Sequence, residues 1–377
     1  MMRMMLIFLC LYSSLVNAGI LTCQHRHCVA IVDAGSTGSR LHVYAYDVDK
    51  KQFPLNIDEI WLNRVSPGLA SVELKNLDTY LTTLFANAPQ ENIPVYFYAT
   101  AGMRLVSSPK QQLYYQLLQN WFSTQASWIL QDAKTITGKQ EGIFGWLAVN
   151  YKLDTLQSSD KPMVGMMDMG GASVQIAVPA ENTQGLESND LVQLNTYGRH
   201  VTLFVHSFLG LGQTEVSHHY LNAPHCFPYD YILPNESIGQ GDAQACQQDI
   251  SSLINSVHHV ERVVSPVLTA NKKISWYAVS GLSTLVKNKL FHFNNNQFTS
   301  QEMLRQADNQ FCHQSWPTLD KLPGQNDYTF INCLTASYYY GLLVNGYGIQ
   351  PGEAVHFMPD EEEPDWTLGA VLQQHHA

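Results

Sequence analysis

"IVDAGSTGSR", Ile31 to Arg40, places one acid, two glycines and three hydroxyls in ten residues. The apolar run Val29-Ala30-Ile31-Val32 leads into it. After it, Leu41, Val43 and Ala45 alternate with His42, Tyr44 and Tyr46. Alternation of period two, rich in β-branched and aromatic residues, marks a strand. That decides against two familiar phosphate loops. A Walker loop needs a lysine and a helix directly after it. A dinucleotide turn needs three spaced glycines and also opens a helix. The stretch therefore reads as the tip of a β-hairpin, where backbone N–H groups and the hydroxyls of Ser36, Thr37 and Ser39 converge on a point suited to an anion. Asp33 would repel a bare phosphate but fits beside a divalent cation bridging the two. Taken alone, the stretch is also compatible with an ordinary Gly/Ser turn.

A second stretch, "VGMMDMGGASVQIAV" from Val164 to Val178, repeats the pattern. An apolar run meets Asp168-x-Gly170, small residues follow, and then Val174, Ile176 and Val178 alternate with Gln175 and Ala177. Two strand–Asp-x-Gly–strand hairpins a domain length apart read as a duplicated fold. If the halves face each other, the loops clamp a run of phosphates from two sides, with two carboxylates near one metal ion. Mg²⁺ or Ca²⁺ suits such oxygen donors.

Two further segments lie between the copies. "VYFYATAGMRL", Val95 to Leu105, is a strand running into a small-residue turn. Thr100 and Arg104 there either reach the ligand or, in the case of Arg104, pin the loop to its own domain, since arginine serves both purposes. "TGKQEGIFGWLAVNYKL", Thr137 to Leu153, reads as a helix opened by a capping box of Thr137 and Gln140, with Ile143, Phe144, Leu147 and Tyr151 facing a core. Glu141 falls in its first turn. An isolated glutamate there is ordinarily a carboxylate favoured by the positive helix end. Between two phosphate hairpins it has a second reading, the base that activates a water.

The 377 residues suffice for two or three domains, and 45% hydrophobic content supplies their cores. A net charge of -11 without blocks of Lys or Arg gives no footprint for a nucleic acid polymer. The acid run Asp360-Glu361-Glu362-Glu363 reads as a solvated loop, as does the Asn-rich "FNNNQF". Met1 to Ala18 reads as a cleaved secretory signal, its apolar core too short to span a bilayer, so a secreted or periplasmic protein without a membrane anchor is expected. Six cysteines remain after cleavage and fall into three close pairs, Cys23–Cys28, Cys226–Cys246 and Cys312–Cys333, the natural disulfide guess. Zinc is disfavoured because no Cys-x-x-Cys occurs. Asn235-Glu236-Ser237 is a glycosylation sequon, relevant only in a eukaryotic secretory pathway.

"DAGSTGSR", "ATAGMR", "GKQEGIFGW" and "MDMGGASVQIA", in that order, resemble the first four signature regions of the apyrases, the nucleoside triphosphate diphosphohydrolases of the actin–hexokinase–Hsp70 superfamily. "WYAVSGLSTL" and "EPDWTLGAVL" are weaker matches, so the likeness runs from Ile31 to Leu372. It implies an α/β protein of two actin-like (RNase H-like) lobes with the active site in the cleft between them. It implies that Asp33 and Asp168 organise the cation largely through water. Ser36, Thr37, Gly38, Ser39 and Thr100, with Gly170, Gly171 and Ala172, would hold the phosphates. Glu141 would be the general base, with Ser173 and Gln175 positioning the water. Members often carry paired aromatics in the fifth region, where this chain has Ser283-Thr284, so Tyr328 is the candidate for a ring on the base, opposite Thr284. The motifs place the first lobe at about 29–163, completed by the C-terminal segment of about 351–377, and the second at about 164–350.

The expected activity is hydrolysis of terminal phosphates of nucleoside tri- and diphosphates by a monomeric enzyme. A polyphosphate or guanosine-pentaphosphate phosphatase of the same superfamily would call for a long basic channel, which the charge balance does not favour. A sugar kinase would waste ATP on water, and a non-catalytic nucleotide or glycan binder would be expected to lack Glu141 or Gln175.

Overall fold

The computed structural model describes residues 22–89, 92–271, 273–322 and 329–374. The chain forms two compact units. The first comprises the chain through Ala148 together with the segment from Asp365 onward, and the second spans Val149–Pro364.

The first unit is built on a five-stranded sheet of order β3-β2-β1-β4-β5, from β1 (His27–Ala34), β2 (Ser39–Val48), β3 (Pro54–Val65), β4 (Ile93–Ala99) and β5 (Trp128–Thr135). β1, β2 and β3 pair antiparallel, while β4 and β5 continue parallel to β1. On one face Ala30, Val32, Leu41, Val43, Val95 and Phe97 pack in a core with residues of the helices Leu77–Leu84 and Ser108–Ser123. The other face meets the helices Gly138–Lys152 and Trp366–Gln373. Tyr98 stacks on Phe144, Phe144 on Trp366, and the Tyr44 and Thr367 hydroxyls lie 2.8 Å apart. The alternation that marks β2 as a strand therefore does not mark a solvent face: His42, Tyr44 and Tyr46 are as buried as Leu41 and Val43. A strand covered on both faces buries the side chains of either parity.

The second unit has a seven-stranded sheet of order β11-β12-β10-β6-β7-β9-β8, from β6 (Gly165–Met169), β7 (Ser173–Pro179), β8 (Leu191–Thr196), β9 (Arg199–Leu209), β10 (Trp276–Ser280), β11 (Gln297–Thr299) and β12 (Ala354–Phe357). Read from β9 to β12, the order 9-7-6-10-12 repeats the 3-2-1-4-5 of the first unit, with the same parallel and antiparallel pairings. β8 and β11 are additions at the two edges. The duplication read from the two Asp-x-Gly hairpins is thus present in the topology.

All three cysteine pairs are joined, Cys23–Cys28, Cys226–Cys246 and Cys312–Cys333. The last four sulfurs sit in the second unit's core. The acid run needs a correction. Asp360, Glu361 and Glu362 are exposed, but Glu363 is tied down. Its Oε1 accepts the Ser280 N–H at 2.7 Å, and its Oε2 accepts the Ser283 hydroxyl at 2.6 Å and the Lys287 ammonium. It holds the turn from β10 into the helix Gly281–Val286, where Ser280 is kept at φ 59°. Of "FNNNQF", only the part before Gln297 is loop, since β11 begins there.

Candidate active site

In the first unit, pairing of β1 with β2 sets Asp33 opposite Arg40. Opposed residues of antiparallel strands share a face, and Arg40 Nη1 donates to Asp33 Oδ2 at 2.7 Å. The tip closes through Gly35 N–H to the Gly38 carbonyl at 2.9 Å. Gly68 supports it from the side: a Cβ there would lie 2.1 Å from the Ser36 carbonyl oxygen, so no other residue allows this approach. Ser36 and Gly38 are half-buried at the tip and Thr37 is exposed. Ser39 is fully buried and accepts the Tyr80 hydroxyl at 2.8 Å. Thr100 follows β4, buried, its N–H donating to the Ala34 carbonyl at 3.2 Å.

Asp33 belongs to a buried charge cluster. His42 Nδ1 lies 2.5 Å from Glu59 Oε1, and its Nε2 lies 3.7 Å from Asp365 Oδ2. Asp365 also caps the helix Trp366–Gln373 by accepting the Thr367 N–H at 3.0 Å. Burial, with the charge of Asp365 added, pushes the Asp33 carboxyl up to about 6 against the pull of Arg40 and His42. Burial opposes ionisation of Asp365 as well, but His42 and the Thr367 N–H outweigh it and hold Asp365 below the ordinary aspartate value. For His42, burial works against the charge, and Asp365 and Glu59 overcome it and raise its pKa. A buried carboxylate with a raised pKa carries its charge at a cost that a cation arriving with the ligand would offset.

Glu141 opens the helix Gly138–Lys152 as the capping box requires. Gln140 N–H donates to Thr137 Oγ1 at 3.1 Å, and Thr137 N–H donates to Gln140 Oε1 at 3.0 Å. Glu141 is buried, and Arg104 Nη2 donates to its Oε2. The same guanidinium donates through Nε to the Ile136 carbonyl at 2.9 Å. Arg104 thus pins its own unit, and the group it pins is the candidate base. Burial raises the Glu141 pKa, Arg104 pulls it back, and Asp33 and Asp365 add to the rise; the net direction is upward.

In the second unit the equivalent hairpin sets Asp168 opposite Gln175. Where the first hairpin faces its acid with an arginine, the second faces it with an amide. Asp168, Ser173, Gln175 and Ala172 are buried, while Gly170 and Gly171 are half-buried. The turn is backed by the segment entering the helix Gln213–His219: Gln213 N–H donates to the Gly170 carbonyl at 2.9 Å and Thr214 N–H to the Gly171 carbonyl at 2.8 Å. Gly212 makes this possible, since a Cβ there would meet Ala172 N at 2.2 Å. Thr284 is exposed on the helix Gly281–Val286. Tyr328 lies outside the described residues, as does the segment Met1–Ala18. Among the described residues no three His, Cys, Asp or Glu side chains gather into a direct metal cage.

The sequence motifs did not single out Arg40, His42 or Asp365. Arg40 was accessible by counting register, because closing the hairpin at Gly35 and Gly38 puts position 40 across from position 33. Asp365 was not, since nothing local ties it to β1.

The model of the GDA1/CD39 (nucleoside phosphatase) family matches residues 20–225 and 231–377. The chain belongs to the GDA1/CD39 family. Proteins similar to it include mouse ectonucleoside triphosphate diphosphohydrolase 1, 26% identical over 91% of this chain and 79% of the mouse protein. The Golgi apyrase of Schizosaccharomyces pombe is 32% identical over 50% of this chain and 39% of its own length. The fold resembles that of a nucleoside triphosphate hydrolase from Neospora caninum, with TM-score 0.68, 15% identity and 94% of each chain covered. An Aquifex aeolicus member of the Ppx/GppA family superposes with TM-score 0.52 and 13% identity over 93% of this chain and 99% of the other. Every candidate residue of both hairpins, with Glu141, lies within the GDA1/CD39 match. The chain is accordingly a hydrolase of the nucleoside phosphatase class, with the actin-like α/β architecture read from its motifs.

Proposed function

We propose that this GDA1/CD39 protein is an exported, divalent-cation-dependent nucleotidase that removes terminal phosphates from nucleoside tri- and diphosphates. The observation that carries this reading is Glu141, a buried carboxyl with a raised pKa, fixed at a helix start beside the first Asp-x-Gly hairpin. A water attacks the terminal phosphorus in line as the bond to the leaving diphosphate or monophosphate breaks. Glu141 takes the proton of that water, with Ser173 and Gln175 positioning it. Ser36, Thr37, Gly38 and Thr100, with Gly170, Gly171 and Ala172, hold the phosphates. Ser39 belongs to the same loop, and accepting the Tyr80 hydroxyl leaves its own O–H as a donor for a phosphate. Thr284 and Tyr328 remain the candidates at the base.

A hard cation fits the residues present. Asp33 is a buried oxygen donor pushed towards neutrality, a state that a nearby cation reverses. With no direct cage among the described residues, one carboxylate from each hairpin, Asp33 and Asp168, would hold a Mg²⁺ or Ca²⁺ ion that keeps most of its waters. When bound, the ion supplies positive charge against the phosphoryl oxygens. Export is supported by the three disulfides, and no helix among the described residues is long and apolar enough to cross a membrane.

Phosphate release from ATP, ADP and inorganic polyphosphate, with and without EDTA, tests the activity together with Glu141→Gln. Nucleotides should be cleaved and EDTA should stop the reaction. Glu141→Gln should lower kcat by roughly 10²–10⁴-fold at unchanged nucleotide Kd. Near-normal kcat with a lowered melting temperature would leave Glu141 as a helix-end carboxylate. Cleavage of polyphosphate alone would overturn the nucleotidase reading.

A further inference from the structure

Across three strands of the second sheet one row of side chains lies on a single face. Asp168 on β6 is opposite Gln175 on β7, and Gln175 is opposite Ser207 on β9. Ser173, two positions before Gln175 on the same strand, shares that face. Gln175 Nε2 donates to Ser173 Oγ at 2.7 Å and to Ser207 Oγ at 3.1 Å. Ser207 belongs to none of the sequence motifs that mark the site.

A primary amide has two N–H donors on one end and a carbonyl acceptor on the other. With both donors committed to hydroxyls, the Gln175 amide can offer a ligand only its carbonyl oxygen. The sense of the amide matters for hydrolysis. A water attacking phosphorus needs a lone pair directed at the phosphorus, so it must give its hydrogen bonds away. One proton goes to the base and the other needs an acceptor. A carbonyl oxygen supplies that acceptor, whereas an amide turned the other way would donate into the lone pair and hold the water back.

We propose that Ser207 is a positioning residue for hydrolysis, which holds in place through its hydrogen bond the Gln175 amide that meets the attacking water. The proposal rests on the nucleotidase reading above and adds to it a residue that need not touch substrate. Ser173 alone would hold the amide at one point; the pair of hydroxyls, one on the same strand and one on the next, holds it at two.

The test is a double-mutant cycle on the full chain, read as kcat, KM and melting temperature with ATP and Mg²⁺. Ser207→Ala should lower kcat by roughly 5- to 20-fold, the effect of one hydrogen bond, with KM unchanged and a small drop in melting temperature from the buried N–H left without its acceptor. Ser207→Thr keeps the hydroxyl in a residue that strands favour and should restore most of the rate. In a Gln175→Ala background, Ser207→Ala should cost nothing further, because the group it acts through is gone. Wild-type kcat in Ser207→Ala overturns the proposal. So does the same fold loss in both backgrounds, which marks a general structural role. If Ser207→Ala folds poorly, the Ser207→Thr rate decides: a loss despite the retained hydroxyl and a native melting temperature also overturns it. A wild-type protein that releases no phosphate from nucleotides rejects the activity itself, an outcome separate from these.

Discussion

At the scale of single residues, the pairing of Glu141 with Arg104 sets how readily the proposed base ionises. An acid whose pKa is raised in the folded chain accepts a proton more readily near neutral pH. Activity should therefore rise with pH as Glu141 ionises, along a limb displaced above the ordinary glutamate range. Arg104→Met removes the nearest positive charge and its hydrogen bond but leaves the burial. The carboxylate loses its stabilising partner, so its pKa rises further and the limb should move to higher pH. A kcat–pH profile of both proteins at saturating nucleotide and cation checks this, and coincident limbs would show that another group titrates. The sequence placed Asp33, Asp168 and Glu141 at their motifs, because glycine spacing and a capping box are local signals. The guanidinium that meets the Glu141 carboxylate comes from another strand end, and such partnerships are not written in sequence order. Ser207 was within reach, since strand register carries it once β7 and β9 are paired.

Among the elements, the helix Gly138–Lys152 was legible down to its reciprocal cap. The strand β2 was legible as a strand but not as a strand buried on both faces, because alternation records residue type and not what covers it. The acid run misled for a related reason: three of its carboxylates are solvated, and Glu363 is the shared acceptor of Ser280, Ser283 and Lys287. Glu363 and Lys287 side chains are each only 15% exposed. Glu363→Ala should destabilise the protein by about 2–3 kcal/mol, because it leaves a backbone N–H, a hydroxyl and part of an ammonium without their acceptor. Glu361→Ala, at an exposed neighbour, should stay within about 0.5 kcal/mol. Urea unfolding of the two variants beside the wild type separates the cases, and equal small losses would show that the contact adds nothing.

For the whole molecule, the duplicated Asp-x-Gly hairpins foretold two sheets of like topology, because each hairpin is the start of one. The edge strands β8 and β11 carried no such signal. The bridges Cys226–Cys246 and Cys312–Cys333 close loops of 20 and 21 residues. Replacing Cys226 and Cys246 together by serine should cost about 3 kcal/mol through the regained freedom of the unfolded chain. The unfolding midpoint in urea should fall, and a reducing agent should then lower it less than it lowers the wild type. An unchanged midpoint would show that this bridge contributes no stability.

The first unit is interrupted in sequence, since the helix Trp366–Gln373 that covers Tyr44 and Phe144 follows all of Val149–Pro364. On the ribosome, its sheet is made early and its last cover late. At ordinary rates of translation the delay is roughly 10–40 s. For that interval the helix Gly138–Lys152 covers the aromatic face of the sheet alone, with Phe144 on Tyr98, while Tyr44 waits for Thr367 and Phe144 for Trp366. A chain released before Trp366 would never complete that cover.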